Sequence, residues 1–137
     1  MRIWDMPVTC LCRNHLLAEH RELRAVWSII LDGKRGYSRH PEVLRWRGKL
    51  LALSARHEEQ VREMEARGYR HMSPLDVSAV PGAERGDVQD TLLEPVAAQA
   101  MKLRAKGCAC GAPEAVHAFS RAPIMNPPSP MTQVTTG

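Results

Sequence analysis

The sequence predicts an all-α fold: three helices around one small core in a compact single domain, residues 1–111, then a disordered tail, residues 112–137. Three observations lead there. Apolar residues recur at 3.6-residue spacing in two long stretches, as on the buried face of a helix. A chain of 137 residues has room for one domain with a modest core. Past Gly111 the periodicity stops, and Pro113, Pro123, Pro127, Pro128 and Pro130 follow without any repeat.

The first helix is expected near residues 11–31, with Leu16, Leu23, Trp27 and Ile30 as its stripe and Asp32-Gly33 as its end. The second is expected near 42–67. Pro41 suits its first turn, Gly68 its C-terminus, and Val43, Trp46, Leu50, Leu53, His57, Val61 and Met64 its seam. Residues 69–94 are rich in Pro, Gly, Asp and Ser and read as loop. A third helix is expected near 95–106 with Val96, Ala100 and Leu103 inward.

Net charge is +4, mildly basic, which permits nucleic-acid binding. Lys34, Arg35, Arg39, Arg45, Arg47 and Lys49 crowd into residues 34–49, opposed only by Glu42. Such a cluster is either a solvated face or a phosphate-binding one. The N-terminal segment MRIWDMPVT has no apolar run, and no stretch approaches the roughly 20 apolar residues of a membrane span. A soluble cytoplasmic protein, nucleoid-associated and monomeric, with no membrane partner, is the expectation.

Four cysteines form two Cys-x-Cys pairs, Cys10/Cys12 and Cys108/Cys110. Structural zinc favours two to four residues between ligands. His15 and His117 extend the candidate ligand sets but add no repeated spacing. Partly buried thiols, with no metal and no other cofactor, are therefore expected. Gly-x-Ser-x-Gly, P-loop, Gly-x-Gly-x-x-Gly and His-Glu-x-x-His motifs are all missing.

On the first helix His15, Ala18, Glu22 and Ile29 share a face offset from the core stripe. No Lys or Arg stands three or four residues from Glu22 to pair with it within the helix. Such a carboxylate is either a general acid/base beside apolar groups or an exposed glutamate paired from elsewhere. His15 is either a phosphate or base contact or a packing residue. Arg21 and Arg24 flank Glu22 and are candidates for phosphate binding.

The run His15-Leu16-Leu17-Ala18-Glu19-His20-Arg21-Glu22-Leu23 resembles the first helix of the pyrimidine-dimer DNA glycosylase/AP-lyase family of phage endonuclease V type. The resemblance continues in order through Gly33-Lys34-Arg35, Lys49-Leu50, Glu63 to Tyr69, and Pro81 with Glu84-Arg85-Gly86-Asp87. It covers about residues 2–106.

The resemblance implies a DNA-repair glycosylase and AP lyase acting on damaged double-stranded DNA. Its N-terminal amine, here that of Met1, attacks the anomeric carbon of the damaged nucleotide's sugar. The residue matching Glu22 positions that amine, stabilises the charged sugar and assists removal of the neighbouring proton. An α-amine has an ordinary pKa of about 7.7–8, so an appreciable fraction is a neutral nucleophile at physiological pH. The implied DNA contacts are Arg2, His15 and Arg21. Arg24, Lys34, Arg35, Arg39 and Arg45 are added from the charge pattern.

The chain departs from the family pattern in three places. Residue 2 is Arg, which keeps Met1 in place. Ala25 replaces an arginine. An aromatic, basic C-terminal segment has no counterpart, since residues 112–137 offer only Phe119 and Arg121. The lesion is therefore left open between pyrimidine dimers and abasic sites. The alternatives from other classes are a non-catalytic DNA-binding protein on the same scaffold and a zinc-stabilised interaction module.

Overall fold

The computed structural model describes residues 1–70, 74–107 and 110. The expected tail, residues 112–137 with His117, Phe119 and Arg121, lies outside them, and so does Cys108. Among the described residues four helices appear in the order α1 (Arg13–Asp32), α2 (Pro41–Leu44), α3 (Leu50–Ala66) and α4 (Val96–Ala105). Single 3-10 turns stand at Val8–Cys10, Val77–Ala79 and Gly82–Glu84. Among the described residues there is no strand, only an isolated antiparallel bridge between Lys49 and Arg85. The fold is all-α, as expected.

Contacts group the described chain into two compact units. One holds Met1–Trp4 with Leu16–Pro95, and the other holds Asp5–His15 with the described residues from Val96 on. The first carries an apolar cluster that includes Ile3, Leu23, Val26, Trp27, Ile30, Val43, Trp46, Leu50, Leu53 and Val80. The stripe read from α1 is buried throughout, and so is the seam of α3 at Leu50, Leu53, His57 and Met64. Each periodic run buries one face, which is where most helical stability in a protein comes from.

The single second helix expected over 42–67 is instead two. Residues 45–49 form a turn, in which Trp46, Arg47 and Lys49 donate to the carbonyls of Val43, Leu44 and Trp46. Val43 and Trp46 before Gly48 and Leu50 and Leu53 after it are all buried, so the apolar seam continues on both sides of the break. The break itself is made by Gly48, whose φ of 78° is foreign to an α-helix and easy only for glycine. Its backbone groups bond to the Pro81–Asp87 loop: Gly48 N–H donates to Glu84 Oε1, and Gly86 N–H donates to the Gly48 carbonyl over 2.8 Å. Gly86 in turn accepts the Ala52 N–H at 3.0 Å. Approach is so close that a Cβ on Gly86 would overlap the Gly48 carbonyl. His40 begins α2 by accepting the Glu42 N–H on its ring nitrogen at 3.0 Å.

The second unit joins two distant segments. Asp5 N–H donates to Gln99 Oε1 at 2.8 Å, and Gln99 Nε2 donates back to Asp5 Oδ2 at 3.0 Å. Val8, Cys10, Leu11 and Leu103 are buried. Val96, expected to face inward, is 41% exposed, because the inward register of the short α4 is taken by Gln99 and Leu103.

Candidate active site

Met1–Trp4 is extended, so alternate backbone N–H groups point the same way. They meet α1 in antiparallel sense. Arg2 N–H donates to Glu22 Oε1 over 3.0 Å, and Trp4 N–H donates to Glu19 Oε1 over 2.8 Å. Glu19 and Glu22 lie three residues apart on one helix face, so two carboxylates hold two amides. Between them Ile3 is buried, 1% exposed, and pins the segment to the apolar cluster. The consequence falls on the terminal amine: the Met1 nitrogen stands 3.1 Å from Glu22 Oε1.

The two acids differ in setting. Glu19 is buried and surrounded by donors: Arg56 Nε at 2.8 Å, Arg56 Nη2 at 3.1 Å and Gln60 Nε2 at 2.6 Å. Its charge is balanced inside the fold. The Glu22 side chain is 37% exposed and that of Met1 12%, so the carboxylate is open to solvent on one side. Glu19 thus holds the segment from inside the fold, while Glu22 holds it from the part-exposed side.

Arg2 turns its guanidinium to Glu94, 2.7 Å away, and over the Trp4 ring at 4.7 Å. Arg21, Lys34, Arg35 and Arg39 are exposed, while Arg24 is half-buried with a long contact of 3.5 Å to the Pro74 carbonyl. Tyr37 stands in the same basic loop with φ 60° and is 73% exposed. Arg45 is elsewhere: it is buried, bound to Glu42 Oε2 at 2.6 Å, to the Ile3 carbonyl at 2.9 Å and to the Thr91 carbonyl at 2.9 Å. Trp46 Nε1 donates to the same Glu42 oxygen at 2.8 Å. With its donors turned inward, Arg45 braces the chain around Ile3, and the basic surface is carried by its neighbours. Lys49 likewise bonds to Gln89, Asp90 and Thr91, and its ammonium lowers the Asp90 pKa.

His15 belongs to the second unit, where its ring nitrogen Nδ1 meets the sulfurs of Cys12 and Cys110. Burial, and after it the charge of Lys106, lowers its pKa. The residues that sequence reasoning missed are Glu19, Arg56, Gln60, Glu42 and Glu94. A signal existed for two of them. Glu19 stands three residues after Leu16 and four before Leu23, and Gln60 stands likewise between His57 and Met64. Polar residues in an apolar seam call for polar partners.

The family described as pyrimidine dimer DNA glycosylase matches residues 1–77, more than half of the chain. The chain belongs to the pyrimidine dimer DNA glycosylase family. Glycosylase chemistry in DNA repair is its activity, and DNA its substrate. Searches of the curated proteins and of the solved structures found no match to this chain. The matched range includes Met1, Arg2, Glu19, Glu22 and the basic loop of this family member, and ends before the Pro81–Asp87 loop and Cys110. No helix among the described residues is long and apolar enough to cross a membrane.

Proposed function

We propose that the chain is a DNA glycosylase with AP-lyase activity, using the α-amine of Met1 as nucleophile and Glu22 as catalytic carboxylate. The observation that carries this reading is the 3.1 Å separation between the Met1 nitrogen and Glu22 Oε1. In its unprotonated form the amine attacks C1′ of the damaged nucleotide. The bond from C1′ to the pyrimidine breaks, the base leaves with the electron pair and takes up a proton, and the sugar ring opens as a protonated imine forms on the Met1 nitrogen. Glu22 holds the amine in place, balances the positive charge that develops on the sugar, and accepts the proton lost from C2′. β-Elimination then breaks the C3′–O bond and the phosphate leaves, cutting the strand.

Arg21, Lys34, Arg35 and Arg39 supply phosphate contacts, since exposed guanidinium and ammonium groups neutralise backbone charge. Pyrimidine dimers and abasic sites are the lesions that this chemistry serves, the second because an abasic sugar needs only the lyase half. The test is borohydride trapping on duplexes carrying either lesion. The reading requires a trapped covalent complex whose attachment maps to the residue 1 nitrogen by mass spectrometry. Attachment to a lysine, or cleavage without trapping, would exclude it.

A further inference from the structure

We infer that Cys12, His15 and Cys110 form a binding site for one zinc ion, set apart from Glu22 and Met1 in both residues and chemistry. The three ligand atoms all lie within 4.8 Å of one another. His15 Nδ1 is 3.2 Å from Cys12 Sγ and 3.1 Å from Cys110 Sγ. Zinc–sulfur bonds of about 2.3 Å and zinc–nitrogen bonds of about 2.0–2.1 Å set tetrahedral ligand edges of roughly 3.5–3.8 Å. The two sulfur–nitrogen edges therefore need to open by only a few tenths of an ångström.

Cys12-Arg13-Asn14-His15 has the two-residue gap that the Cys-x-Cys pairs lack, with Cys12 immediately before α1 and His15 in its first turn. Cys110 is buried and closes the set from beyond α4, while Cys12 and His15 are half-buried. The backbone N–H of Cys12 donates to Cys110 Sγ over 2.8 Å, an interaction that stabilises a thiolate and is characteristic of metal–thiolate surroundings. Two thiolates and an imidazole select zinc over harder divalent ions. Three protein ligands leave a fourth position to water.

The ion would be structural. It links segments 98 residues apart, the same two that Asp5 and Gln99 join, so its binding energy becomes folding energy for this unit. His15 would then act as a ligand, and the DNA contact implied for it by the family resemblance would not be made by its Nδ1 edge.

The experiment uses the full chain, purified without a polyhistidine tag from zinc-supplemented medium, with metal content read by mass spectrometry. One zinc per chain is expected. Removal with a chelator should lower the melting temperature, and Zn2+ should restore it. Titration of the stripped protein with Co2+ should give thiolate charge-transfer bands and tetrahedral d–d bands that saturate at one equivalent. Cys110→Ser and His15→Ala should each weaken metal binding by at least about tenfold. His15→Cys retains a donor, so it should keep the metal and strengthen the charge-transfer band even if the other variants fold poorly. Overturning results are a folded wild-type chain with neither zinc nor a Co2+ spectrum, unchanged metal content in His15→Ala, or a Cys12–Cys110 disulfide in the freshly purified protein.

Discussion

The backbone N–H of Trp4 is held by Glu19 at 2.8 Å, one helical turn from the acid that receives the Met1 amine. Glu19 is also the acceptor for Arg56 and Gln60. Removing its charge leaves a largely buried guanidinium with Glu59, 3.4 Å away and half exposed, as its remaining counter-charge. Glu19→Gln should cost about 3–5 kcal/mol of stability, seen as a lower urea midpoint. It should also release the N-terminal segment, so imine trapping should fall even under conditions where the variant is folded.

Glu22→Gln should behave in the opposite way. The carboxylate is part-exposed and its partners are an amine and an amide at the chain terminus. Loss of a pair in that setting should change stability by less than about 1 kcal/mol. Strand cleavage should fall by about 100-fold or more if Glu22 acts as the base. Single-turnover kinetics on abasic duplex, alongside a thermal melt, check both halves. Normal cleavage with a large melting shift would reassign Glu22 to the scaffold.

Blocking the amine isolates the nucleophile. Acetylating residue 1, or leaving one extra residue before it, should abolish trapping and spare DNA affinity measured by fluorescence anisotropy. Full cleavage by the acetylated protein would remove Met1 from the mechanism.

Arg35 and Arg45 should separate surface from scaffold. Arg35 is exposed, so Arg35→Ala should weaken duplex binding and reduce the slope of log affinity against log salt by about 1, with the melting temperature unchanged. Arg45→Ala strands the buried Glu42, at a cost of about 3–5 kcal/mol. In folded Arg45→Ala protein the salt slope should stay at the wild-type value.

Gly86→Ala tests the closure between the Pro81–Asp87 loop and the α2–α3 turn. The added methyl meets the Gly48 carbonyl, which is backbone and cannot rotate aside. A loss of about 1–3 kcal/mol is expected. Amide exchange at Ala52, whose N–H bonds to the Gly86 carbonyl, should speed up more than exchange elsewhere in α3.

Much of this protein is determined by its sequence locally. The stripes Leu16–Leu23–Trp27–Ile30 and Leu50–Leu53–His57–Met64 specify helices because burying one face requires a 3.6-residue period. Gly33 and Gly68 mark helix ends. The run from His15 to Leu23 carries the family motif in a single helix, so Glu22 and the exposed loop of Lys34, Arg35 and Arg39 were legible without coordinates.

Tertiary structure decided the rest, because those features depend on where distant chain segments meet. The α2–α3 break has the apolar seam on both sides of it and was marked only by Gly48, whose bonding partners lie beyond residue 80. Arg45 looked like its basic neighbours until burial committed its donors to Glu42, Ile3 and Thr91. Met1 and Glu22 are 21 positions apart, and their meeting depends on Glu19 and Ile3 turning an extended segment back along α1. Cys12, His15 and Cys110 come together across nearly the whole described chain. Each of these pairings offsets the desolvation of a polar group by supplying a partner, and no local periodicity records which partner the chain path will supply.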